Sequence, residues 1–240
     1  MERQNIPGLI KWAGRLVADA LIRVSVRGHF QAVYARVAQP PSPDRPAILF
    51  ANHHYWWDGY LCYLLGKTWS QPMTLWMEEW RWFPPFWALG ALPFPEHALH
   101  TRARTVRHTV RLLKNPPHVL FIFPEGSIHT GREILPFGRA LYWLAQHVPE
   151  AQLFPMSIVM THTRHQYPRA YMHVDRPIAL TDKPESWLEQ ARSCVGRLVD
   201  ALHVEAECYD TEAKAEQAGF TLLVRGKPSV NERWWARMMP

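Results

Sequence analysis

Ala47-Ile48-Leu49-Phe50-Ala51-Asn52-His53-His54-Tyr55-Trp56-Trp57-Asp58-Gly59-Tyr60-Leu61 is the stretch on which the reading of the whole chain turns. Residues 47–51 form a short, wholly apolar run of the kind found in strands buried on both faces. Asp58-Gly59, followed by Tyr60, Leu61, Leu64 and Leu65, opens a helix with Asp58 at or near its N-cap. A buried strand thus delivers Asn52 and His53 to its end, and an acid stands close by at a helix start. A base held by a carboxylate is what activation of a hydroxyl requires, because a hydroxyl is a poor nucleophile at neutral pH.

The pattern repeats outward from this unit. Upstream, Phe30 to Val37 reads as a strand, and Gln39-Pro40-Pro41-Ser42-Pro43-Asp44 as a turn-rich connector. Downstream, residues 73–77, His118 to Phe123, Leu153 to Val159 and Tyr171 to Val174 read as strands. Helices are predicted over 99–114, Phe137 to His147 and 185–207. Strands alternating with helices predict an α/β fold with a mostly parallel or mixed central sheet flanked by helices. With 240 residues, 48% of them apolar, the chain can bury one substantial core. The expected organisation is an N-terminal amphipathic helical segment over residues 1–28, a catalytic domain over 29–208 and a C-terminal extension over 209–240.

In the N-terminal segment Ile6, Leu9, Ile10, Ala13, Leu16, Val17, Ala20, Leu21 and Val24 recur at helical spacing, with Lys11, Arg15, Asp19 and Arg23 in a separate i, i+4 row. Two roles fit such a helix, an interfacial membrane anchor or a cover for the core. No secretory signal is legible, and no run of 18 apolar residues would span a bilayer. Three scattered cysteines form no metal or redox spacing and suit a reducing compartment. The expected location is cytoplasmic, with peripheral association at a membrane. A formal charge of +6 favours an anionic partner, and twelve tryptophans suit an interface that is apolar on one side and wet on the other. They gather at Trp56, Trp57, Trp69, Trp76, Trp80, Trp82 and Trp87, and again at Trp234 and Trp235. The charge-free run from Trp82 to Pro95 has too many prolines for a spanning helix and reads as a loop over the core or the wall of an acyl-chain groove. Arg104, Arg107, Arg111 and Lys114 form one row that reads either as a solvated face or as a phosphate cradle.

The strand, His53, four residues, Asp58, and later the strand ending in Phe123-Pro124-Glu125-Gly126-Ser127 resemble the glycerolipid acyltransferase family that includes 1-acylglycerol-3-phosphate acyltransferases. The resemblance spans roughly residues 30–180 and extends to Leu153-Phe154-Pro155-Met156-Ser157-Ile158. It implies an O-acyltransferase that moves a fatty acyl group from an acyl thioester, acyl-CoA or acyl carrier protein, to a lipid-like hydroxyl, with no cofactor beyond that co-substrate. By the same resemblance His53 is the general base and Asp58 orients it, while backbone N–H groups at the following helix start help stabilise the oxyanion. Asn52, Glu125, Gly126 and Ser127 are the expected substrate-binding residues, and His54 is a packing or loop residue.

Two departures from the family pattern bear on the acceptor. Where family members with phosphate-bearing acceptors carry arginines, this chain has Ile128 and Glu96. A carboxylate facing a phosphate is repulsive, so the expected acceptor is a lipid-like alcohol other than lysophosphatidate. Arg102, Arg104 and Arg132 are the substitute candidates for binding a phosphate. The rival from another class is a catalytically inactive membrane- or lipid-binding protein of the same fold. No metal site is expected, since no His-x3-His with a nearby Glu and no Cys/His set occurs. A serine-hydrolase elbow is missing as well, and nothing beyond charge and aromatics points to nucleic acid.

Overall fold

The computed structural model describes residues 8–69, 71–78, 85–114, 117–163, 165–209 and 211–230. Trp80, Trp82, Trp234 and Trp235 lie outside the described residues, as do all residues after 230. In chain order the elements are α1 (Gly8–His29), β1 (Ala32–Val37), β2 (Ala47–Ala51), α2 (Asp58–Gly66), β3 (Met73–Met77), α3 (Pro85–Ala88), β4 (Ala91–Pro93) and α4 (Leu99–Lys114). Then follow β5 (Val119–Ile122), α5 (Ala140–His147), β6 (Gln152–Thr161), β7 (Arg169–Val174), α6 (Pro184–Glu207), α7 (Glu212–Gln217) and β8 (Thr221–Arg225).

The strands make one eight-stranded mixed sheet, ordered β4-β3-β5-β2-β6-β7-β1-β8. Pairing is parallel throughout except for β6 with β7 and β1 with β8. The short edge strands β4 and β8 fall where the sequence signal is weakest. β8 belongs to the segment expected to be an extension, yet it pairs antiparallel with β1 and closes one side of the sheet.

Central strand β2 shows why its residues had to be apolar on both faces. Ile48 and Phe50 pack on one side with Leu141, Trp187 and Leu202, while Ala47, Leu49 and Ala51 pack on the other with Ile22, Val26 and Leu61. Alternate residues of a strand point to opposite faces, so a strand covered on both sides loses the alternating pattern. Helices α4, α5 and α6 cover one face, α1 and α2 the other. Trp187 is wholly buried, and its indole N–H donates to the Ala179 carbonyl at 2.9 Å.

Helix α1 departs from the simple amphipathic expectation. Ala18, Ile22 and Val26 are buried at i, i+4 spacing against the sheet, while Trp12, Leu16, Val17, Leu21 and Val24 are exposed. Two residues of the polar row make tertiary contacts: the Arg15 guanidinium donates to the Ala88 carbonyl at 2.9 Å. Asp19 accepts from Tyr63 Oη at 3.0 Å and from Lys67 Nζ at 2.7 Å. No helix among the described residues is long and apolar enough to cross a membrane.

Candidate active site

β2 and β5 are parallel neighbours, with Phe50 beside Ile122, so the loops that follow them leave the sheet at the same end. That adjacency brings together two motifs about seventy residues apart in the chain. Loop residue His53 donates from Nδ1 to Asp58 Oδ2 at 3.0 Å, and the same oxygen accepts the Tyr55 N–H at 3.0 Å. Asp58 is the first residue of α2, and its side chain is 0% exposed. Burial pushes the Asp58 carboxyl upward, against the opposing effect of the His53 and backbone hydrogen bonds. With Nδ1 committed to the carboxylate as donor, Nε2 of His53 is left as the basic nitrogen. The imidazole also stacks on Phe123, centroids 4.2 Å apart and planes 10° from parallel, which fixes its plane.

Glu125 holds this arrangement from behind. Its side chain is 0% exposed. Oε1 accepts the His53 backbone N–H at 2.7 Å, and Oε2 accepts the Leu135 N–H at 2.7 Å and a bond from His129 Nε2 at 2.6 Å. The His129 N–H in turn donates to the His53 carbonyl at 3.3 Å. Glu125 was expected to bind substrate; in the structure both of its oxygens accept hydrogen bonds inside the protein and tie the two motif loops together. Asn52 was likewise expected to bind substrate. It is fully buried, its Oδ1 accepts from the Ile158 N–H at 2.8 Å and its Nδ2 donates to the Ile158 carbonyl at 2.9 Å. Both ends of the amide are used to tie the end of β2 to β6.

A cavity of about 580 Å³ opens beside His53. Its walls are mainly apolar, including Tyr60, Met73, Leu75, Phe86, Leu89 and Phe94. Such size and lining suit a hydrocarbon-bearing ligand with few fixed polar contacts. The proline-rich segment read as a possible groove wall does supply part of the lining, through Phe86, Leu89, Ala91 and Phe94. Gly90 permits the close approach of this wall, since a Cβ there would stand 2.2 Å from the Met73 carbonyl oxygen and the backbone holds φ +94°.

Gly126 and Ser127 line the cavity, together with Pro124 and Ile128. Of the three candidate arginines only Arg102 lines it, with its guanidinium 4.5 Å above the Phe94 ring. Arg104 and Arg132 are exposed and away from the lining, and Arg107, Arg111 and Lys114 are exposed too, a solvated face. The first turn of α2 offers fewer open donors than its position suggests. The N–H groups of Asp58, Tyr60 and Leu61 are already engaged by the Tyr55 and Trp57 carbonyls.

Two residues outside the sequence-predicted site stand beside this frame. His54 Nε2 is buried with no hydrogen-bond partner, and the His54 and His129 rings meet at 4.6 Å and 75°. Burial holds the His54 imidazole below its ordinary pKa. Each histidine is next to a motif, which is the only signal in the sequence that could have drawn attention to them.

A family model described as Acyltransferase matches residues 24–159. No curated protein matches the chain. Among solved structures, the chain is similar to the 1-acyl-sn-glycerophosphate (LPA) acyltransferase PlsC from Thermotoga maritima. The two share 17% identity, with a TM-score of 0.59 over 83% of this chain and 84% of that one. At that identity the likeness is one of fold.

Proposed function

The chain belongs to the acyltransferase family, and from that premise we propose that it transfers a fatty acyl group from acyl-CoA or acyl carrier protein to the hydroxyl of a lipid-like acceptor. The observation that carries this reading is the His53–Asp58 pair, 3.0 Å apart, at the wall of a mainly apolar cavity. In the proposed reaction His53 Nε2 takes the acceptor hydroxyl proton as the oxygen attacks the thioester carbonyl. Asp58 keeps the proton on Nδ1 and stabilises the imidazolium. Collapse of the tetrahedral intermediate breaks the C–S bond, and the imidazolium returns its proton to the leaving thiolate. No acyl-enzyme is needed, and the products are an ester and a free thiol.

The acceptor is proposed to be a lipid-like alcohol other than lysophosphatidate, such as a glycolipid, a carotenoid or a lysophospholipid with its phosphate elsewhere. Ile128 on the cavity wall offers no charge to a phosphate, and the Glu96 side chain is 64% exposed beside His97. Arg102 is the cavity-lining candidate for an anionic group. The exposed apolar stripe of α1, with Trp56 also 62% exposed, supports peripheral docking on a membrane surface from which such an acceptor would be drawn.

The test is acceptor-dependent thiol release from palmitoyl-CoA and palmitoyl-acyl carrier protein, with lysophosphatidate, other lysophospholipids, glycolipids and long-chain alcohols as acceptors. Loss of a general base should lower turnover by about 10²–10⁴-fold in His53→Ala. Turnover that survives this substitution would refute the assignment of the base. Lysophosphatidate outpacing every other acceptor would refute the acceptor class alone.

A further inference from the structure

His54, Glu125 and His129, on the two loops that carry the motifs, each present one side-chain ligand atom, and these three atoms all lie within 4.8 Å of one another. We propose that these three atoms form a divalent-metal site, suited to zinc, that clamps the loop after β2 to the loop after β5 behind the reactive histidine. The inference does not depend on which acyl acceptor or donor the protein uses.

Two imidazoles and one carboxylate are a donor set that zinc accepts readily. Around a tetrahedral zinc with ligands at about 2.0–2.2 Å, ligand atoms stand roughly 3.4 Å apart, so small side-chain rotations convert the present cluster into a coordinating one. His54 supplies the independent observation. Its Nε2 is a buried polar atom with no hydrogen-bond partner among the described residues, and such an atom calls for a ligand. His129 Nε2 is already directed at Glu125 Oε2, 2.6 Å away. Glu125 Oε1 stays with the His53 N–H, so metal on Oε2 leaves the strut to the reactive loop intact.

The position also fixes the role. Neither His54, Glu125 nor His129 lines the cavity that His53 lines, so the metal would not face the reacting carbonyl. It would act as a cross-link holding His53 through its chain neighbour, a positioning device rather than a Lewis acid. His53 Nδ1 remains engaged by Asp58 and is not a ligand.

The experiment strips the full-length protein with a chelator and titrates ZnCl₂ by calorimetry. A parallel titration with Co²⁺ uses the visible absorption that distinguishes four-coordinate nitrogen and oxygen ligation. His54→Ala and His129→Gln are the test variants, the glutamine keeping a donor for Glu125. His162→Ala is a control, because thirteen histidines offer other weak sites. The expected result is one tight equivalent in the wild type and in His162→Ala, weakened at least tenfold in both test variants, with the cobalt bands lost in parallel. Bound zinc should also raise the melting temperature of the wild type and not of the test variants, whatever the acyltransfer assay shows. Failure of the wild type to bind a stoichiometric equivalent overturns the site, and so does binding of equal strength in wild type and test variants. Should a test variant not fold, wild-type stoichiometry and the cobalt spectrum decide the matter alone.

Discussion

The His53 side chain is positioned by interactions of different kinds, and each gives a distinct expectation. The Asp58 hydrogen bond sets the tautomer, the Phe123 ring sets the plane, and Glu125 fixes the backbone to which the side chain is attached. Asp58→Asn keeps the shape but can present an N–H to Nδ1 and so stabilise the wrong tautomer. Its acyl-transfer rate should fall by about 10²–10⁴-fold with little change in melting temperature. Glu125→Gln should behave differently. It removes charge from a buried group that accepts three hydrogen bonds, and stability should fall by about 1–3 kcal/mol in denaturant titration. A stable Glu125→Gln with altered substrate KM alone would restore the substrate-binding role the sequence suggested. Arg102→Ala separates recognition from chemistry. It should raise KM for acceptors bearing an anionic group and leave neutral alcohols unaffected, as compared in the same thiol-release assay.

Helix α1 is fastened through Asp19, which lies between Tyr63 and Lys67 of the neighbouring segment and Arg23 of its own helix. Burial alone would raise the Asp19 carboxyl, but the Lys67 and Tyr63 hydrogen bonds and the two cations outweigh it and hold the group below its ordinary value. A depressed carboxylate contributes stability that is fully present above its unfolded pKa and disappears as pH falls through the folded one. Asp19→Asn should therefore lower the melting temperature near neutrality, with the difference from wild type shrinking below about pH 4. A difference that is constant with pH would show that the ion pairs do not fasten the helix. The outward stripe of the same helix has a separate test. Leu16→Glu with Leu21→Glu should reduce co-sedimentation with anionic vesicles while leaving the melting temperature nearly unchanged, since both side chains are already exposed.

Over the whole molecule, the sheet is what makes the site possible, because its parallel centre brings two distant loops to one end. Trp187 of α6 packs on Phe50 of β2 and on Tyr142 of α5, a junction under the strand that carries the reactive loop. Trp187→Ala should cost about 3–5 kcal/mol, measured by denaturant titration, through the cavity it leaves. Most of this architecture was legible in the chain. The run at 47–51 and that from His118 to Phe123 identified the buried strands found at Ala47–Ala51 and Val119–Ile122, and the periodicity from about 99 to 114 identified α4. Strands β4 and β8 were not legible, being short edge strands whose pairing with β3 and β1 is a long-range event.

The sequence by itself determined the α/β class, the order of the principal elements and the placing of His53 at a strand end with Asp58 at the following helix start. These depend on residue type and local spacing, which the chain carries at every position. Only the tertiary structure decided what lies opposite each face. It engaged Asn52 and Glu125 in hydrogen bonds inside the protein, admitted Arg102 alone of three arginines to the cavity, and divided the apolar residues of α1 between core and surface. It also brought His54 to Glu125 and His129. Periodicity states which side chains share a face, but hydrogen-bond partners and burial depend on what the rest of the chain packs against that face.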